Sequence, residues 1–155
     1  MSDFFRQARY AAYKRQIESI INEVGWAVQG VFSTPDHPGP SFAYTIGLTA
    51  KGHPELIMSG LPLKYLQGWL NIFAEKALNS PFGFAPGQRI DLSDKKSFIV
   101  IEAPAAEVGI AELVYARPIR VLQLVWHDKK GRWPTDPDYD DPPQNLFGPF
   151  EEPKP

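Results

Sequence analysis

The chain has no cysteine, which excludes disulfides, thiolate metal sites and cysteine nucleophiles. It has no run approaching the roughly 18 apolar residues that a membrane-spanning helix needs. Its first residues, MSDFFRQARYAAYKRQ, also lack the uninterrupted apolar stretch of a secretory signal. There is no GxxxxGK[ST] phosphate loop, no GxGxxG after a strand, no HExxH and no GxSxG elbow. An excess of charge is missing too: 16 basic residues stand against 18 acidic ones, a net charge of -2. That balance gives no general attraction to nucleic acid, whose binding depends on clustered Lys and Arg releasing counterions, though it leaves room for a local patch. These absences lead to the expectation of a soluble, cytoplasmic chain that engages neither nucleic acid nor membrane.

What is present describes a packed domain. In 155 residues, 43% are hydrophobic and 13% aromatic, enough for a single core that needs no staple. Tyr13, Ile17, Ile20, Ile21 and Val24 recur at three- and four-residue spacing, predicting a helix over 3–24 with Ser2 placed to cap it and Gly25 to end it. Its other face, with Arg6, Arg9, Lys14, Arg15 and Glu18, reads as solvated.

The chain is organised around Ser41–Gly60, SFAYTIGLTAKGHPELIMSG. Residues 41–50 and 56–60 read as strands either side of the turn Lys51-Gly52-His53-Pro54, and 26–33 as a strand before them, making an antiparallel meander. The loop TPDHPGP between the first two contains His37, which reads as solvated. Pro62 then opens a second amphipathic helix over about 62–79, carried by Leu63, Leu66, Leu70, Phe73 and Ala77. Gly68 inside it suggests close packing on the sheet. Further strands are expected at 88–92, 97–103 and 121–126, with a last short one at 132–134. Residues 109–115 are ambiguous between helix and strand.

From Pro134 the composition changes. Seven of the final 22 residues are proline, and Asp136, Asp138, Asp140, Asp141, Glu151 and Glu152 make the segment acidic. Such a stretch builds no core of its own, though Tyr139, Leu146, Phe147 and Phe150 equip it to dock. The division is therefore one α+β domain over 1–133 and a Pro-rich acidic tail over 134–155. The expected architecture is an antiparallel sheet with both amphipathic helices on one face, with a partly closed barrel as the alternative.

Chemistry-bearing residues gather in two places. His53 and Glu55 flank the hairpin turn, and His127 and Asp128 end a later strand; imidazole and carboxylate serve as metal ligands or as acid and base. Against that reading, adjacent residues in a strand point to opposite faces, and such side chains commonly close turns by bonding loop backbone. Tyr44 and Thr45 precede Gly47, which would let a ligand or another backbone approach closely. Trp26, Trp69, Trp126 and Trp133 would either line an apolar pocket or fill the core. Gln123, inside the apolar run VLQLVW, needs partners if buried, and either organises the sheet or contacts a ligand.

The set Gly25-Trp26, Phe42-Ala43-Tyr44-Thr45-Ile46-Gly47-Leu48, His53-Pro54-Glu55-Leu56, Gly60-Leu61-Pro62, Pro86-Gly87 and Leu122-Gln123-Leu124-Val125-Trp126, with Asp128, Gly131 and Trp133-Pro134, resembles a bacterial domain-of-unknown-function family (number 4262). The likeness spans about residues 25–135. One departure is His127, where the family pattern leads to a proline or another turn residue. The order of elements is more distantly similar to suppressor-of-fused-like domains, which bind other proteins and include immunity proteins. The resemblance implies no activity. The leading expectation is a non-catalytic module binding a protein or a small molecule through Tyr44, Thr45, His53, Glu55, Gln123, Trp126 and Asp128. The alternatives are a small metal-dependent or acid/base enzyme using His53, Glu55, His127 and Asp128, and a split-barrel-like flavin or cofactor binder. No pattern assigns a particular cofactor or an oligomeric state.

Overall fold

A computed structural model describes residues 3–36, 38–92 and 95–151. Ser2, His37 and Glu152 lie outside the described residues. Helix α1 (Asp3–Val24) ends where Gly25, at φ +110°, turns the chain into the left-handed region and donates its N–H to Ile21. Of the spacing that predicted α1, Ile17 is buried and Tyr13 and Ile21 pack beside it, while Ile20 and Val24 face solvent.

Strands β1 (Ala27–Val31), β2 (Phe42–Ile46) and β3 (Glu55–Ser59) form the expected antiparallel meander. A turn of 3-10 helix (Thr49–Lys51) sits in the second connection. Gly47, at φ +132°, lets β2 leave the sheet against the Gly25–Trp26 backbone: a Cβ there would lie 2.8 Å from Gly25 O and 2.9 Å from Trp26 Cα. The close approach that Gly47 permits is therefore to backbone.

Helix α2 (Leu63–Leu78) follows with Pro62 in the cap position, burying Leu66, Leu70, Phe73, Ala74 and Ala77. Gly68 lies on its exposed side with nothing within 4 Å of a built Cβ, so it does not mark packing against the sheet. Strands β4 (Arg89–Asp91) and β5 (Ser97–Glu102) form a hairpin, α3 (Gly109–Tyr115) resolves the ambiguous stretch as a helix, and β6 (Val121–Trp126) closes the series.

The α+β class is as expected, but the sheet is mixed. Its order is β1-β2-β3-β6-β5-β4, with β6 parallel to β3 and antiparallel to β5. The last strand thus lies in the middle, which is why VLQLVW is apolar nearly throughout: a central strand covered on both faces has no solvent side. The sheet is open, with β1 and β4 at its edges, so it is not a barrel. Arg132–Pro134 forms no strand; Trp133 instead packs on Ile99, Ile101 and Val125.

The two amphipathic helices cover opposite faces rather than one. Leu66, Leu70 and Phe73 of α2 cluster with Ala43, Leu56, Met58, Val100, Leu122 and Leu124. Ile17 of α1 and Ala111 of α3 cluster with Phe42, Tyr44, Ile46, Ile57 and Val121. Side chains alternate along each strand, and since both sets are apolar, each face needs its own cover. The Pro-rich segment completes the second cover, with Phe147 only 8% exposed and Leu146 and Phe150 against the Ile99–Ile101–Val125 patch. No described helix is long and apolar enough to cross a membrane.

Candidate functional site

The acid/base and metal candidates singled out by sequence fall at opposite ends of the sheet. Glu55 pairs with Val121 at the start of β6, whereas His127 and Asp128 follow its end. At about 3.3 Å per strand residue, roughly 20 Å separates the two groups, so they do not form one acid/base or metal centre. Among the described residues no group of three or more His, Asp or Glu side chains could hold a metal ion.

Glu55 is fully buried and serves the loop after β2. Its carboxylate accepts from Thr45 Oγ1 (2.8 Å), Gly47 N (3.2 Å), Leu48 N (3.2 Å), Thr49 N (2.8 Å) and Tyr115 Oη (3.0 Å). Three successive N–H groups converging on one anion form a nest, here filled from inside the protein. Thr45 Oγ1 in turn accepts from Leu56 N at 2.9 Å. Burial and the Glu55 charge push Tyr115 up to about 12. Tyr44, raised to about 12 by burial, accepts from Ile110 N at 3.1 Å and so anchors α3. His53 is half-buried, and its ring packs so closely on Gly83 that a Cβ there would lie 2.6 Å from Nδ1.

Gln123 reaches the C-terminal segment: its Oε1 accepts from Phe147 N at 2.8 Å, and its Nε2 donates to Asn145 O at 2.6 Å. Gln144 answers from the other side, its amide pairing with the N–H and C=O of Trp126. Asp128, with 2% exposure, accepts from Lys130 N, Arg132 N, Arg132 Nε and Asp140 N at 2.8–3.0 Å. Burial alone would raise its pKa, but these hydrogen bonds, led by those from Arg132, outweigh it and hold the carboxyl well below the usual range. Both nitrogens of His127 are engaged. Nδ1 lies 2.7 Å from Asp128 O, a pure acceptor, so Nδ1 carries the proton and Nε2 accepts from Ser97 N at 3.1 Å.

A cleft of about 210 Å³ opens at the end of the sheet where β5 begins and β6 ends. Trp69, Phe98 and Trp126 wall it together with Leu61 and His127, and Lys96, Asp128, Lys129 and Asp141 bring charge to its lining. Trp69 is held by Phe73 (centroids 6.2 Å apart) and Phe98 (5.1 Å), and Trp126 by its Nε1–H to Ser59 O at 2.9 Å. Of the four tryptophans, Trp69 and Trp126 line this cleft; Trp26 bonds Asn71, and Trp133 is core. Tyr44 lines a larger groove of about 490 Å³ with Tyr10, Phe42, Ile110 and Leu113, where its hydroxyl is already committed to α3.

Sequence reasoning passed over Lys96, Phe98, Lys129 and Asp141. The available signal was the tripeptide Asp-Lys-Lys, which occurs twice, at 94–96 and 128–130, beside Phe98 and Trp126. Because Phe98 pairs with Trp126, the two Lys-Lys turns share one sheet end.

These features define an α+β domain with a mixed six-stranded sheet covered on both faces and an aromatic cleft at one end. The sequence profile of the family described as Domain of unknown function (DUF4262) matches residues 20–140, and the chain belongs to that family. No curated protein and no solved structure matches it.

Proposed function

We propose that this chain is a non-catalytic binding module and that its recognition site is the Trp69–Phe98–Trp126 cleft. The observation that carries the reading is a contrast. Glu55, His127 and Asp128, the groups best suited to acid/base or metal chemistry, already have backbone and side-chain partners within the fold. His127 and Asp128 line the cleft as well, so what it offers a ligand is the half-buried Trp69 and the exposed Lys96 and Lys129, beside the buried Phe98 and Trp126. A concave, mostly apolar site with a few polar groups at its margin is the usual form of a small-molecule site. Its volume of about 210 Å³ lies below the range for drug-sized ligands, which favours a ligand of one or two rings over a protein partner.

A fragment screen by ligand-observed NMR, on the wild type and on Trp69→Leu, tests this reading. Fragments that bind the wild type are expected to lose affinity in Trp69→Leu and to be recovered unchanged. Chemical conversion of a bound fragment, or hits indifferent to Trp69→Leu, would contradict it.

A further inference from the structure

We propose that the ligand of this cleft is a small aromatic carboxylate, with its ring on the face of Trp69 and its acid group between Lys96 and Lys129. The inference rests on the cleft being the binding site and adds the ligand's chemical class.

Two observations carry it. First, Lys96 Nζ lies over the Trp69 ring, 5.1 Å from the centroid. Contacts with Phe73 and Phe98 fix that indole, and the cation over its ring is the end of a flexible, exposed side chain. A planar ring recovers more contact with an aromatic face than an ammonium does at a solvated site. An incoming ring therefore displaces Nζ, which then stands at the ring's edge. There it meets whatever substituent the ligand carries, and a carboxylate turns the displaced cation into a partner.

Second, the lining has a definite charge. Asp128 is paired with Arg132 Nε at 2.8 Å, which offsets its charge, and three backbone N–H groups occupy its remaining acceptor positions. His127, with both nitrogens engaged, contributes a ring and no free donor. With the Asp128–Arg132 pair counted as neutral, Lys96 and Lys129 stand against Asp141, a balance of +1. That balance complements a monoanion, and the Asp141 carboxylate disfavours a second negative charge. A carboxylate is thus preferred to a phosphate monoester, which carries nearly two charges near neutral pH.

The test is a titration of the full chain with 1H–15N NMR detection, using indole-3-carboxylate, indole-3-carboxamide, cyclohexanecarboxylate, benzoate and phenyl phosphate. Indole-3-carboxylate is expected to shift the Trp69 and Trp126 indole N–H signals and to bind about tenfold tighter than its amide, the worth of one charge-assisted hydrogen bond. Lys96→Gln, a change at an exposed position, is expected to abolish the preference for acid over amide. Cyclohexanecarboxylate is expected to bind more weakly than benzoate. Equal binding of acid and amide, or phenyl phosphate binding tighter than benzoate, would overturn the aromatic-carboxylate assignment while leaving the cleft as a binding site. Library fragments that bind while shifting neither Trp69 nor Trp126 would overturn both.

Discussion

Gln123 and Phe147 are joined across 24 positions by a buried hydrogen bond of 2.8 Å from the Phe147 N–H to the glutamine side chain, whose amide also donates to Asn145 O. The one polar residue in the central strand thus gives the C-terminal segment its seat. Gly148 passes so close to the end of β5 that a Cβ there would lie 1.9 Å from Glu102 O, and Phe42 meets Phe147 edge to face at 5.5 Å. The Pro-rich segment is a strap over the sheet's second face.

Loosening that strap should weaken the whole domain. Phe147→Ala is expected to cost about 3 kcal/mol of unfolding free energy, as for other buried phenylalanines. Gln123→Leu, which leaves an N–H and a C=O without their partner, should cost about 2 kcal/mol. Urea unfolding measures both, and limited proteolysis should show earlier cleavage within residues 134–151 in each variant. Unchanged midpoints would mean that the strap adds nothing to the fold.

The Glu55 nest separates used from unused hydroxyls. Glu55→Gln puts an amide N–H₂ where the carboxylate accepts from N–H groups, and is expected to destabilise by about 3 kcal/mol. Thr45→Val removes a hydroxyl that bonds both Glu55 and Leu56 N, at about 2 kcal/mol. Thr49 Oγ1, by contrast, is buried without a hydrogen-bond partner among the described residues. Thr49→Val should therefore be neutral or stabilising, because an apolar group of the same shape relieves an unpaired oxygen.

Two glycines should respond in opposite directions. Gly47→Ala forces a side chain into backbone at φ +132° and is expected to cost about 2 kcal/mol or more. Gly68→Ala has open space and a helical backbone, and should add about 1 kcal/mol. Thermal unfolding of the two variants beside wild type reads both signs.

Much of this was legible in sequence, and the misses have physical causes. Helix α2 announced itself because Leu66, Leu70, Phe73 and Ala77 share one face, and β6 because a strand covered on both sides is apolar at nearly every position. The place of β6 between β3 and β5 was not legible, since strand order depends on pairings made across more than sixty residues. Glu55 looked available for chemistry for a different reason: the three N–H groups that converge on it are only six to eight positions away, but their direction is set by the turn geometry of Gly47–Thr49. Trp69 and Trp126 were visible as possible pocket walls. Lys96 and Lys129 lie more than thirty positions apart, and only the Phe98–Trp126 register brings them to one end of the sheet.

Asp128 predicts the response to acid. Its folded pKa lies below the ordinary value, so the folded state binds fewer protons than the unfolded one across the interval between the two. Its stabilisation is complete above the unfolded value of about 3.9 and is lost as pH falls toward the folded one. Asp128→Asn should be clearly less stable than wild type in urea at pH 7, with the gap shrinking by pH 3. A gap independent of pH would show that the carboxylate's charge does not matter.

The most direct measurement of the central claim is a whole-chain chemical-shift map recorded with the bound hits of a fragment library. The account predicts perturbations centred on Trp69, Lys96, Phe98 and Trp126, with His53, Glu55 and the Gly47–Thr49 loop silent. Perturbations centred on the His53–Glu55 hairpin, or conversion of a fragment during the titration, would contradict it.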